Sequence, residues 1–140
     1  MELCSNEEQL RAAYPVMKQL RTHLTEDEYL EKVKQCQSEA NYQLYAYKNE
    51  QGQVCACCGV MPMPTLYYDR CLWVCELVVD EACRSQGIGA KVLEQLTDIA
   101  EAGGYNEIAL SSGLQRSDAH RFYEERAGFQ KVSYSFKKDL

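Results

Sequence analysis

The stretch Leu77-Val78-Val79-Asp80-Glu81-Ala82-Cys83-Arg84-Ser85-Gln86-Gly87-Ile88-Gly89-Ala90-Lys91 runs from an apolar strand, through a short loop, into a helix. The helix continues to Ala102 through Val92, Leu93, Leu96, Ile99 and Ala100, apolar residues at helical spacing, and Gly103-Gly104 ends it. The first backbone N–H groups of a helix have no partner within it, and its dipole is positive there, so the junction is an anion site. Gly87 and Gly89 let the main chain approach an oxyanion, and Arg84 adds a planar cationic fork. Two phosphate motifs are excluded. The nucleoside-triphosphate loop needs G-x-x-x-x-G-K-[ST], but Lys91 follows Ala90 and precedes Val92. The dinucleotide fingerprint needs a third glycine where Val92 stands. What remains is R-x-x-G-x-G-A.

The rest of the chain bounds what can surround this junction. Its 140 residues suit one domain spanning 1–140. A hydrophobic fraction of 46% and a charged fraction of 26% match an ordinary globule and exclude a disordered or low-complexity chain. No apolar run approaches the roughly 18 residues of a membrane span, so no membrane association is expected. Met1 to Glu8 is acidic and mixed rather than leader-like, so a cytoplasmic, reducing compartment is expected. The net charge of −6 argues against binding nucleic acid. Eight cysteines stand at 4, 36, 55, 57, 58, 71, 75 and 83. Cys55-Ala56-Cys57-Cys58 and Cys71-Leu72-Trp73-Val74-Cys75 lack the pair spacing of a zinc site. They are read as buried free thiols packing as small hydrophobes, with no metal site and a redox or metal role as the minor alternative.

Working outward, Ser5 with Glu8 and Thr25 with Glu28 are capping-box patterns that open two helices. The first carries Leu10, Tyr14, Met17 and Leu20, with a kink or break expected at Pro15. The second carries Tyr29, Leu30, Val33 and Cys36. Residues 41–48 and 53–61 read as a hairpin about the turn Asn49-Glu50-Gln51-Gly52, and Pro62 and Pro64 are expected to stop its ladder. Residues 71–79 are a third strand, 107–111 a fourth. A helix capped by Ser117 or Asp118 runs to about Ala127, Gly128 ends it, and residues 129–137 supply one or two last strands. Consecutive strands followed by strand–helix–strand units give an α/β class. Its central mixed sheet is antiparallel in the first half and parallel in the second, with about four flanking helices.

The Arg84–Ala90 segment resembles the pyrophosphate loop, [RQ]-x-x-G-x-[GA], of the GNAT superfamily of acetyl-CoA-dependent N-acetyltransferases. Ala119-His120-Arg121-Phe122-Tyr123-Glu124-Glu125-Arg126-Ala127-Gly128-Phe129 resembles the A-x-x-F-Y-x-x-x-G-F segment of the same superfamily. The element order is similar over nearly the whole chain. The run Arg116 to Tyr123 looks like the aminoalkylphosphonate N-acetyltransferases within it. Ser85 departs from a frequent glycine. Arg116 departs from a frequent asparagine that contacts the cofactor, which leaves that contact in doubt.

The resemblance implies a GNAT-like fold, acetyl-CoA as cosubstrate, a small-molecule amine as acceptor and a homodimer. It places the pantetheine arm against Leu77, Val78 and Val79, and the pyrophosphate on Arg84, Ser85, Gln86, Gly87, Ile88, Gly89 and Ala90. It makes Tyr123 the general acid that protonates the departing thiolate. Glu76 lies in an apolar strand, where a carboxylate is costly without a partner or a task. It is the candidate base, with an edge-strand or salt-bridged glutamate as the alternative. His120 reads as an exposed or capping histidine, while His23 and the Tyr67-Tyr68-Asp69 loop are secondary candidates for the acceptor pocket. The acceptor stays open: the acidic charge favours a cationic amine, the phosphonate-like run an amine bearing an anion. A non-catalytic acyl-CoA-binding regulatory module is the alternative function.

Overall fold

Five strands form one sheet in spatial order β1 (Glu2–Leu3), β2 (Gln43–Lys48), β3 (Val54–Met63), β4 (Cys71–Val79) and β5 (Glu107–Leu110). The first four pair antiparallel, and β5 lies parallel beside β4, as a strand–helix–strand crossover requires. The helices are α1 (Glu7–Leu20), α2 (Glu26–Ala40), α3 (Ile88–Ala102) and α4 (Ser117–Glu125). These come from a computed structural model that describes residues 1–140. Two compact units are distinguished, residues 1–109 and residues 110–140.

The core of the first unit is built on β3, seven of whose ten residues are buried. Both of its faces are covered, because α1 and α3 each pack on β3 and β4. Leu44, Ala46, Cys57 and Val78 join Leu10, Ala13, Val16, Met17, Tyr29 and Leu30 in one apolar cluster under α1 and α2. Side chains alternate across a strand, which leaves Ala56, Cys58 and Val60 for the other face, under Val92, Leu93 and Leu96 of α3. Six of the eight cysteines are buried, four of them (Cys55, Cys57, Cys58 and Cys71) in β3 and β4; Cys36 is exposed and Cys75 half-buried.

Several local expectations are corrected. The cap of α1 is Asn6 with Gln9, not Ser5 with Glu8: Gln9 N–H donates to Asn6 Oδ1 at 2.9 Å. Ser5 instead donates its own N–H to Gln9 Oε1 at 2.7 Å. Pro15 does not break α1. It sits on the exposed side with Arg11, whose carbonyl it leaves unpaired, and water can satisfy that group. Pro62 does not stop β3, which pairs on through Pro62↔Leu72 and Met63↔Cys71. The β2 ladder ends at Gln43↔Val60, so beyond Val60 one edge of β3 is free and can hold a residue without an N–H. Strand β1 has no counterpart in the sequence reading; Cys4 N–H continues its path by donating to the Leu44 carbonyl at 2.8 Å. Residues 129–137 form no strand, although Val132, Tyr134 and Phe136 alternate as a strand would; all three are exposed. Alternation selects a face only where a neighbouring strand supplies the ladder.

The β3–β4 register shifts between Gly59 and Val60, so that Glu76 faces Gly59, Val74 faces Val60, and Cys75 is left without a partner. A β-bulge of this kind re-aims the side chains beside it. The space over Gly59 is filled by the Tyr42 hydroxyl and the Glu76 carboxylate, and a Cβ on Gly59 would overlap both. Gly59→Ala is therefore expected to cost about 1–3 kcal/mol in urea unfolding, the usual range for overpacking a filled site. An unchanged midpoint would show that this space is slack.

Candidate active site

The junction between β4 and α3 is shaped by two left-handed residues. Ser85 has φ 64° and Gly87 has φ 71°. Glycine adopts this conformation without strain, and serine does so at some steric cost. The position where glycine was expected is thus one whose backbone favours it. Gly87 is the N-cap of α3 and offers no side chain to the helix, unlike Asn6 and Thr25 at the two preceding helices. The first helical bond runs from Lys91 N–H to the Gly87 carbonyl at 3.2 Å. The N–H groups of Ile88, Gly89 and Ala90 therefore have no acceptor within the helix, and the first turn carries no acidic residue to compete for them. Ser85, Gln86 and Gly87 are exposed, so the loop is open to solvent. Arg84 is exposed too, and its Nε–H donates to the Val79 carbonyl at 3.3 Å, folding the guanidinium back toward the end of β4. Beside the loop lies an open hollow of about 340 Å³, walled by Gln86, Ile88 and Lys91 on one side and by Lys48 and the 49–51 turn on the other. Upstream, Val78 is buried against the α1–α2 core, while Leu77 and Val79 are half-buried.

Glu76 is held by two groups that the sequence reading did not link to it. Tyr42 Oη–H donates to Glu76 Oε2 at 2.7 Å, and Arg21 Nη2 meets Glu76 Oε1 at 3.0 Å. The same Arg21 nitrogen donates to the carbonyl of the bulged Cys75 at 3.1 Å. The Glu76 side chain keeps 17% of its surface exposed and that of Arg21 39%, so the pair sits at the edge of the core. Burial, and next the Glu76 charge, push the Tyr42 hydroxyl well above its ordinary pKa; it therefore stays a phenol and a donor. Burial and the Glu76 charge also push the Cys75 thiol up to about 12, which keeps it protonated beside the carboxylate. Arg21 and Tyr42 lie 55 and 34 positions from Glu76 in sequence. No local pattern joins them, and only the isolated glycine within a strand marked the place where they converge.

In the second unit, α4 carries Tyr123, half-buried between aromatic neighbours. Its ring lies 5.5 Å from that of Phe122 and 5.7 Å, edge-on, from that of Phe129. Phe129 N–H donates to the Tyr123 carbonyl at 2.9 Å, so the turn at Gly128 (φ 74°) brings Phe129 back onto the helix. His120 is half-buried rather than exposed, and it caps no helix; its Nε2 lies 2.8 Å from the Gly113 carbonyl and ties α4 to the loop before it. Arg116 is the exposed residue flanking α4. His23 is exposed in the α1–α2 connection. Tyr67 and Tyr68 pack edge-on at 4.9 Å, and Asp69 accepts a hydrogen bond from the Asn106 amide, so that loop is tied to the start of β5.

The model of the acetyltransferase (GNAT) family matches residues 7–129. The uncharacterized N-acetyltransferase YhdJ of Bacillus subtilis (strain 168) is 38% identical over 141 aligned residues, covering 100% of this chain and 98% of that protein. The aminoalkylphosphonate N-acetyltransferase of Salmonella typhimurium is 38% identical over 65 residues, 46% of this chain and 42% of that protein. Among solved structures, AAC(6')-Iy in complex with the bisubstrate analog CoA-S-monomethyl-acetylneamine shares the fold, with a TM-score of 0.81 at 13% identity over 96% of this chain and 93% of that one. An acetyltransferase of Trypanosoma brucei does so with a TM-score of 0.76 at 21% identity, covering 99% of each chain. No helix is long and apolar enough to cross a membrane. The chain belongs to the acetyltransferase (GNAT) family and is an acyltransferase enzyme.

Proposed function

We propose that the protein transfers the acetyl group of acetyl-CoA to the primary amine of a small molecule, by direct attack of the amine on the thioester. One observation carries most of this reading. The loop after β4 presents three helix N-terminal N–H groups, a left-handed glycine cap and a nearby arginine to solvent, with no side chain of its own occupying them. That is chemistry suited to a diphosphate. On this reading Arg84, Ser85, Gln86, Gly87, Ile88, Gly89 and Ala90 hold the pyrophosphate. The main chain of Leu77, Val78 and Val79 orients the pantetheine arm and polarises the acetyl carbonyl.

The acceptor reacts as a free amine, so a proton must leave the nitrogen and another must reach the sulfur. We assign the first transfer to Glu76. Each of its oxygens is already engaged once, by Arg21 or by Tyr42, and a carboxylate oxygen keeps a second acceptor direction for a water or an ammonium. We assign the second to Tyr123, whose phenol can give its proton to the leaving thiolate. Residues 1–140 then act as one cytoplasmic N-acetyltransferase domain, and a homodimer is the expected assembly. The relative named aminoalkylphosphonate N-acetyltransferase matches 46% of the chain.

Calorimetric titration with acetyl-CoA, with NAD as control, tests the reading at its base: selective micromolar binding supports it, and no binding removes the pyrophosphate assignment. Arg84→Ala is expected to weaken acetyl-CoA binding about tenfold, the scale of one lost charge-assisted hydrogen bond. With an accepted amine in hand, Tyr123→Phe is expected to lower kcat by about 10²–10⁴, the usual worth of a positioned acid, while leaving the acetyl-CoA Kd unchanged. Unchanged turnover would exclude Tyr123 as the acid. Glu76→Gln is expected to lower kcat at least about tenfold below pH 8 and less at higher pH, where the amine deprotonates unaided. A pH-independent loss would assign Glu76 a purely structural part.

A further inference from the structure

Cys83 closes the single 3₁₀ turn Glu81–Cys83 immediately before Arg84, and its thiol donates to Cys55 Sγ of β3 across 2.8 Å. That separation is well inside ordinary sulfur–sulfur contact. A disulfide needs about 2.05 Å, so the atoms have roughly 0.8 Å left to travel. The proximity is imposed by the surrounding main chain. Asp80 N–H donates to the Cys55 carbonyl at 2.8 Å, and Cys83 N–H donates to the Asp80 carbonyl, also at 2.8 Å. From α1, Gln19 Oε1 accepts the Glu81 N–H at 3.0 Å, and Gln19 Nε2 reaches Asp80 Oδ1 at 3.3 Å. The turn is thus fixed to β3 and α1 by groups other than the thiols. Cys57 and Cys75, in contrast, turn their thiols to carbonyls, of Ala13 at 3.7 Å and of Trp73 at 4.0 Å.

We propose that Cys55 and Cys83 are an oxidation site, a dithiol that hydrogen peroxide converts into a reversible disulfide. Cys83 is 7% exposed and Cys55 1%, so Cys83 meets the oxidant first. Its thiol, whose pKa the hydrogen bond to Cys55 raises to about 11, gives up its proton as the sulfur attacks one peroxide oxygen: an S–O bond forms, the O–O bond breaks, and the departing hydroxide takes that proton and leaves as water, giving a sulfenic acid. The Cys55 sulfur then displaces the hydroxyl from the Cys83 sulfur. An S–S bond forms, the S–O bond breaks, and a second water leaves. Two thiols have lost two protons and two electrons, and one peroxide has become two waters. An added dithiol reverses the change by thiol–disulfide exchange. The product is a covalent tie between β3 and the residue preceding Arg84.

Peroxide treatment of the whole chain, followed by alkylation of the remaining thiols and peptide mapping, tests this. Trypsin cuts after Lys48, Arg70 and Arg84, which separates residues 49–70, with Cys55, Cys57 and Cys58, from residues 71–84, with Cys71, Cys75 and Cys83. The expected result is an intact chain lighter by about 2 Da, the two hydrogens lost. Its linked peptides fragment to Cys55–Cys83, and dithiothreitol restores the starting mass. Cys83→Ala is expected to abolish this link, and its loss in that variant does not depend on any activity. Oxidation that stops at sulfinic acid, or links that map to Cys57, Cys58, Cys71 or Cys75 in place of Cys55–Cys83, would overturn the proposal, whatever the outcome of the acetyl-CoA titration.

Discussion

A strand residue without a side chain governs the middle of the sheet. Opposite Gly59 the β4 strand bulges at Cys75, and the vacated volume receives a phenol and a carboxylate. The bulge has two consequences. It leaves the Cys75 carbonyl free for Arg21, and it sets Glu76 where Arg21 and Tyr42 both reach it. The C-terminal end of α1, the residue before β2, and the middle of β4 are thereby joined through one half-buried anion. A charged hydrogen bond contributes on the order of 1.5–3 kcal/mol when well sheltered. Partial exposure of the Arg21–Glu76 pair reduces its share, so geometry rather than net stability is the main product of the cluster. After the bulge the ladder resumes through Leu77, Val78 and Val79, which deliver the chain to the turn and to the anion loop.

The anion loop and its flanking elements were legible in the sequence because their signals are local. A run of apolar strand residues, two close glycines and a long amphipathic helix need no distant partner to declare themselves. The N-caps of α1 and α2 were nearly so; a shift of one residue moved the cap of α1 from Ser5 to Asn6, because an Asn6–Gln9 pair satisfies the same orphan groups, whereas α4 starts after Arg116 with no side-chain cap from Ser117 or Asp118. Proline was over-read twice. At Pro15 the cost depends on which face carries the residue, and at Pro62 on whether the adjoining edge is already free; both are facts of tertiary structure. The Arg21–Glu76–Tyr42 cluster was invisible, since its members come from three separate elements. Glu76 itself was conspicuous as a carboxylate among apolar neighbours, and the salt-bridged alternative named its arrangement.

The two proposed uses of β4 meet at its far end. Val79 accepts from Arg84, Asp80 bonds back to Cys55, and Cys83 rests on the same residue. The loop that follows keeps Ser85 and Gly87 in left-handed conformations within three residues of one another.

Cysteine placement has a practical corollary. Of eight thiols, only Cys36, on α2, is exposed. Maleimide reagents under native conditions will find it first, and α2 packs with α1 on the face of the sheet away from α3. A single fluorophore or spin label can therefore be attached on that side without engineering the chain. It would report on the α1–α2 layer from a position remote in sequence from the anion loop.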